Sequence, residues 1–93
     1  FEGMFLEPDG TFPNHEADPS KPENLAAVAA RVRATGAVAG FSLDGDGDRL
    51  GVVDETGAPV RGDLLAALLC RQILAEAPGR PVCFDLRSSK VLE

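Results

Sequence analysis

Apolar and polar positions along the 93-residue chain change period from segment to segment, and each change predicts an element. Residues 1–8, Phe-Glu-Gly-Met-Phe-Leu-Glu-Pro, hold a short apolar patch of strand character, and Pro8-Asp9-Gly10 is a turn signal. Thr11 to Pro22 is rich in proline and polar residues and predicts an ordered loop without regular structure. Ser20-Lys21-Pro22-Glu23 has capping-box spacing, serine accepting from first-turn amides and glutamate reaching back. Leu25, Val28, Ala29 and Val32 then follow helical spacing, so one face is apolar, while Arg31 and Arg33 mark the solvated side. Gly36 is placed as the C-terminal stop of that helix.

From Ala37 to Leu43 the chain is apolar nearly throughout, the pattern of a strand covered on both faces. Arg49 to Asp54 predicts the next strand, Asp54-Glu55-Thr56-Gly57 a turn, and Ala58 to Val60 the returning partner of a hairpin. Gly62-Asp63 opens a second helix with Asp63 as N-cap, ended by Pro78-Gly79. Its Leu64, Leu65, Leu68, Leu69, Ile73 and Leu74 form a wide apolar face, which predicts packing against a sheet. Pro81 to Leu86 predicts a last strand, followed by Arg87-Ser88-Ser89-Lys90. The order strand, helix, strand, hairpin strand, helix, strand places the chain in the α/β class, as a mixed sheet with flanking helices. Two helices are too few to cover both faces of such a sheet, so the pattern implies an incomplete piece of a larger protein. Phe1, standing where methionine normally opens a chain, fits a fragment, a trimmed chain or a processed one.

Between the two central strands stands Leu43-Asp44-Gly45-Asp46-Gly47-Asp48-Arg49. Two glycines and three acids make a poor strand, so this stretch predicts a tight loop. At roughly 5 Å and an effective dielectric of about 20, two like charges repel by ~3 kcal/mol, and three packed together repel more. Solvation or protonation of one acid would relieve that, and so would a bound cation. Hard divalent ions such as Mg2+ and Ca2+ take oxygen ligands, and the glycines let the backbone fold so that Asp44, Asp46 and Asp48 converge. Arg49 would sit beside the ion, suited to a two-pronged grip on phosphate oxygens. A metal next to an arginine is the equipment of phosphoryl transfer.

Composition narrows the field further. The hydrophobic fraction of 44% suits a folded domain, and the length suits one small domain or part of a larger one. A net charge of −6 without any basic run argues against nucleic acid and against an anionic membrane surface as partners. No apolar segment is long enough to span a membrane, and no secretory signal stands at the start, so a cytoplasmic location is expected. The two cysteines, Cys70 and Cys83, lack paired metal spacing and are expected to be buried thiols. His15 lies in the loop before the first helix and is expected to be exposed or hydrogen-bonded, with a site role if that loop packs near the acidic one.

Two other chemistries share part of the acidic pattern. Counted from Asp44, the acids fall at EF-hand positions 1, 3 and 5, and Glu55 falls at position 12, which would make a Ca2+-binding module. Position 6 is Arg49 rather than glycine, however, and the flanks predict strands rather than helices. A haloacid-dehalogenase-like phosphatase begins with an apolar strand ending in Asp-x-Asp, as Phe41-Ser42-Leu43-Asp44-Gly45-Asp46 does, with Asp44 as nucleophile. The third acid and Arg49 are not part of that pattern.

The stretch Phe41-Ser42-Leu43-Asp44-Gly45-Asp46-Gly47-Asp48-Arg49-Leu50-Gly51-Val52-Val53-Asp54 resembles the metal-binding loop of the α-D-phosphohexomutases, the phosphomannomutase/phosphoglucomutase family. Pro8-Asp9-Gly10-Thr11-Phe12-Pro13-Asn14-His15 resembles a segment preceding that loop, and Gly62-Asp63-Leu64-Leu65 and Asp85-Leu86-Arg87-Ser88-Ser89 resemble segments following it. The resemblance implies a four-domain enzyme that moves phosphate between the 1- and 6-positions of a hexose phosphate through a phosphoserine and a bisphosphorylated intermediate. It implies Mg2+ held by Asp44, Asp46 and Asp48, with Arg49 and Arg87 as catalytic residues, Arg49 at the phosphoryl group and Arg87 approaching the substrate. Some family members carry lysine at the position of Arg87; arginine stays charged, so proton transfer there is not expected, whereas phosphate or hydroxyl contact is. By the family layout residues 1–58, with the metal loop at 44–49, are the later part of domain two, and residues 59–93 the opening helix and strand of domain three. The phosphoserine, sugar-selecting and phosphate-binding loops of the family are not found in these 93 residues. The chain alone is therefore expected to be inactive and to depend on the remainder of a parent chain.

Overall fold

The structure, a computed structural model, describes residues 1–85 and 87–92. It divides into two compact units, Phe1–Pro59 and Val60–Glu93. The elements in order are a 3-10 turn Pro22–Leu25, helix α1 (Ala26–Thr35), strands β1 (Ala39–Leu43), β2 (Leu50–Asp54) and β3 (Pro59–Val60), helix α2 (Gly62–Glu76) and a 3-10 turn Lys90–Leu92. The class is α/β, with a three-stranded sheet in the order β1-β2-β3.

In the first unit, α1 is built largely from alanine and other good helix formers. It stops where Gly36 takes the left-handed conformation (φ 69°) and donates its N–H back to the Val32 carbonyl at 2.9 Å. Strands β1 and β2 pair antiparallel from Ala39 opposite Asp54 to Leu43 opposite Leu50. Leu25, Ala29 and Val32 of the helical stretch close over Val53, which is fully buried, with Val28 and Ala37 packed alongside. This close approach requires glycine in the sheet. A Cβ on Gly40 would lie 2.6 Å from Val28 Cγ2, 2.8 Å from Val32 Cγ2 and 2.9 Å from Val53 Cγ2. Gly51 is equally confined, by Leu25 and Pro19. The hairpin turn after β2 is tied by Asp54, whose Oδ1 accepts from Thr56 N (2.9 Å), Thr56 Oγ1 (2.7 Å) and Ala58 N (2.9 Å).

Several expectations for this unit need correction. Residues 1–8 form no strand, and Phe5 sits at φ 52°, outside the extended region a strand needs. The capping box does not form: Lys21 is the cap of the 3-10 turn and makes no side-chain capping bond, and Ser20 donates instead to Asp18 Oδ1. The strand foreseen over Ala37–Leu43 begins at Ala39 and is covered on one face only. Alternation puts Gly40 toward α1, while Phe41 and Leu43 on the other face remain exposed by about 60%.

In the second unit, α2 begins after Arg61, and Asp63 lies within its first turn rather than at the cap. Asp63 Oδ2 accepts from Ser89 N at 3.0 Å and from Arg61 Nη2 at 2.5 Å. The bonds from Ser89, with Arg61 beside them, hold this carboxyl down to about 2 against the opposing effect of burial. The expected packing of α2 against a sheet is not observed, since none of its residues is buried and Leu64, Leu68, Leu69 and Ile73 are exposed. Pro81 to Asp85 form no strand, so the described residues of this unit offer no sheet face to cover the helix; Leu86, the end of that predicted strand, lies outside the described residues. Cys70 is half-buried and Cys83 exposed, so the expectation of two buried thiols fails with the missing strand. Among the described residues no helix is long and apolar enough to cross a membrane.

Replacing Gly40 by valine should force α1 off the sheet and cost about 1–3 kcal/mol, as overpacking does. Urea denaturation of the variant checks this, with a lowered midpoint and an unchanged slope expected.

Candidate metal centre

The antiparallel pairing that ends at Leu43 and Leu50 leaves six residues, Asp44–Arg49, to make the turn. The turn is closed by Asp44 N–H donating to the Arg49 carbonyl at 3.3 Å and by Gly47 N–H donating to the Asp44 carbonyl at 3.3 Å. Gly47 at φ 75° supplies the left-handed residue that this reversal needs. The turn brings together the three acids singled out in the sequence. One carboxylate oxygen each from Asp44, Asp46 and Asp48 lie within 4.8 Å of one another. Asp44 is buried, whereas Asp46 and Asp48 are exposed.

Arg49 organises the charges. Its backbone N–H donates to Asp44 Oδ1 at 3.1 Å, and its Nε donates to Asp44 Oδ2 at 2.6 Å. Its Nη1 donates to Asp18 Oδ1 at 3.0 Å, while Asp48 Oδ1 is 3.9 Å from Nε. Burial pushes the Asp44 carboxyl up, but the Arg49 amide and guanidinium outweigh it and hold the group at about 2. The Asp44 contact in turn raises Arg49 above its ordinary value. The guanidinium side chain remains about half exposed, so it can meet a ligand from solvent.

Asp18 went unnoticed in the sequence. It carries the loop before α1 onto the turn. Its Oδ1 accepts from Ser20 N (3.1 Å) and Ser20 Oγ (2.7 Å), and its carbonyl accepts from the buried Asn24 side chain at 2.9 Å. Pro19 lies against Gly51 at the start of β2, which fixes the segment beside Arg49. The available signal, Asp followed two residues on by Ser, announces a local turn. Nothing in it announces a partner 31 residues away.

The other candidates are placed as follows. His15 donates its Nδ1–H to the Glu16 carbonyl at 2.8 Å, and its ring meets Phe5 edge-on at 5.7 Å. Together with Phe5, Phe12, Phe41, Leu43 and Asp44 it lines a cleft of about 1030 Å³ within the first unit. Arg87 belongs to the second unit, where its strongly exposed guanidinium bonds Asp85 at 2.8 Å.

Three carboxylates offering hard oxygen atoms to one point fit a hard divalent cation. The flanks of the loop are strands, and Arg49 at its sixth position turns onto Asp44, which disfavours the EF-hand arrangement. Both Asp44 oxygens are engaged by Arg49, which disfavours that residue as a free nucleophile.

Comparison with known proteins adds an independent line. Residues 3–57 match the family model described as "Phosphoglucomutase/phosphomannomutase, alpha/beta/alpha domain II". The chain is 47% identical over 89 residues to a phosphomannomutase/phosphoglucomutase of Pseudomonas putida, covering 96% of this chain and 19% of that protein. It is 44% identical over 85 residues to a phosphomannomutase of Methanocaldococcus jannaschii, covering 91% and 19%. A crystal structure of a phosphoglucomutase/phosphomannomutase family protein from Burkholderia thailandensis superposes with a TM-score of 0.88 at 42% identity, over 94% of this chain and 19% of that one. The chain thus spans about a fifth of the length of the relatives it matches.

The depressed Asp44 value carries a sign. Stability contributed by its contacts is complete above the ordinary carboxylate value near 4 and is lost as pH falls through about 2. Carboxyl-carbon NMR titration should therefore find Asp44 still ionised at about pH 4, where an ordinary aspartate is half protonated. Replacing Arg49 by methionine should move the Asp44 midpoint upward, since burial then acts with less opposition.

Proposed function

The chain belongs to the phosphoglucomutase/phosphomannomutase family, and from that membership we propose that it is the Mg2+-binding segment of a phosphohexomutase, an enzyme that interconverts hexose 1-phosphate and hexose 6-phosphate through a phosphoserine and a bisphosphorylated intermediate. The observation that carries this is the convergence of Asp44, Asp46 and Asp48 in a turn that leaves an arginine facing the same point. Each aspartate supplies one carboxylate oxygen. A bound Mg2+ supplies positive charge that draws electrons from a phosphoryl oxygen. Asp44 is held ionised by Arg49 and so is ready to ligate without first losing a proton. Arg49, half exposed, grips the phosphoryl oxygens and offsets the charge that builds as the group moves.

Residues 1–58 are then the later part of domain two and residues 59–93 the opening of domain three. The match over 3–57 and the division between Pro59 and Val60 support that boundary. Arg87 contacts a phosphate or hydroxyl of the sugar, a role favoured by its exposure. The phosphoserine comes from the remainder of the parent chain, and the setting is the cytoplasm.

Two outcomes are expected. Calorimetric titration should show Mg2+ binding that Asp46→Asn weakens on the order of tenfold, equivalent to about 1.4 kcal/mol. Glu55→Gln should leave it unchanged, and Ca2+ should not be strongly preferred; a strong Ca2+ preference lost on changing Glu55 would favour the EF-hand alternative instead. Separately, the 93-residue polypeptide should show no turnover in a coupled mutase assay. Activity from it alone would show that the nucleophile lies within these residues.

A further inference from the structure

Arg49 and a divalent cation compete for the same carboxylate. Both oxygens of Asp44 are occupied by Arg49, Oδ1 by its amide and Oδ2 by its Nε. A cation that ligates Asp44 through Oδ2 sets a second positive charge beside the guanidinium on one oxygen and so weakens the Nε contact. The guanidinium then needs another anionic partner to stay beside the turn, and only some of its neighbours can serve. Asp48 is 3.9 Å from Nε and is itself one of the converging acids. Asp18 is different. It already accepts from Nη1 at 3.0 Å, on another nitrogen from the one that engages Asp44, and it lies outside the converging trio.

We propose that Asp18 is a positioning residue that holds Arg49 at the turn while Asp44 transfers from the guanidinium to a divalent cation. This rests on the Mg2+ role proposed for the acidic turn. The Asp18 carboxylate is anchored for that task. Ser20 N and Oγ fix its Oδ1, the buried Asn24 side chain fixes its backbone carbonyl, and Pro19 is seated on Gly51. Such a carboxylate accepts the guanidinium without having to be ordered first. Without Asp18 the guanidinium keeps, among the described residues, only the converging acids Asp44 at 2.6 Å and Asp48 at 3.9 Å as charged partners, and the cation must then weaken a firmer contact.

The test is Mg2+ affinity, by calorimetry on the full chain, in a double-mutant cycle of Asp18→Asn with Arg49→Met. Asparagine keeps an oxygen for Ser20, so the local turn is retained. Asp18→Asn should weaken Mg2+ binding on the order of tenfold, the scale on which outer partners of metal ligands act, and it should have no effect once Arg49 is methionine. Glu23→Gln, an exposed substitution of the same charge change, should alter nothing. An equal loss from Asp18→Asn in both backgrounds would overturn the proposal, because the effect would then be plain charge attraction. A second measurement needs no substitution. On saturation with Mg2+ the Arg49 Nε–H resonance should shift as Asp44 is released, while the Nη protons stay protected from exchange by Asp18. Freely exchanging Nη protons would also overturn it. Mg2+ binding that is intact but indifferent to Asp18 removes this proposal alone, whereas absence of binding in the unaltered chain removes the metal role and this proposal with it.

Discussion

Mutual repulsion among carboxylates confined to one short turn is the constraint that the first unit is arranged to satisfy. A chain can relieve such repulsion by exposing the acids, and Asp46 and Asp48 are exposed. Asp44 is not, and its charge is kept by an arginine that binds it through main chain and side chain at once. Two modest contacts to a single carboxylate accomplish what solvent does for its neighbours. The turn therefore has one buried acid, anchored to the end of the hairpin, and two that face solvent.

The rest of the unit places that turn. Helix α1 can approach the sheet because Gly40 and Gly51 leave room, and the same Gly51 seats Pro19 so that Asp18 reaches the guanidinium. The apolar core and the charged turn are thus connected through one small residue. Packing of Leu25 against Gly51 and ion pairing of Asp18 with Arg49 occur on neighbouring stretches of the same two segments. A change that loosens the helix on the sheet is expected to reach the turn by this route.

How far the sequence foretold this varied with the kind of signal. The loop between two strands, the left-handed Gly36 that ends α1 and the Asp54–Gly57 turn were legible, because each depends on residues adjacent in the chain. The convergence of the three acids was foreseen from their alternation with glycine, and the turn brings one oxygen of each within 4.8 Å of the others. Expectations that depended on absent neighbours failed. The apolar faces of β1 and α2 predicted coverage that the described residues do not provide, and Pro81 to Asp85 stayed irregular with no strand beside them. Ser20-Lys21-Pro22-Glu23 misled because Asp18, two residues upstream, captures the serine first. Asp18 itself was invisible as a partner of Arg49, since no local pattern reports a contact across the whole of α1 and β1.

The six residues from Asp44 to Arg49 also tie two properties to one count. The turn begins and ends on the residues that bond to each other, and the strands run straight on from it, with Gly40 and Gly51 on the helix side together with Val53. Side chains in a strand alternate, so lengthening or shortening the turn by one residue would either bulge the hairpin or turn Val53 outward. A point change here acts on the turn's own charge, contacts or backbone, whereas an insertion or deletion would unseat the core as well. The length of this turn is therefore held by the core as firmly as its residues are held by one another.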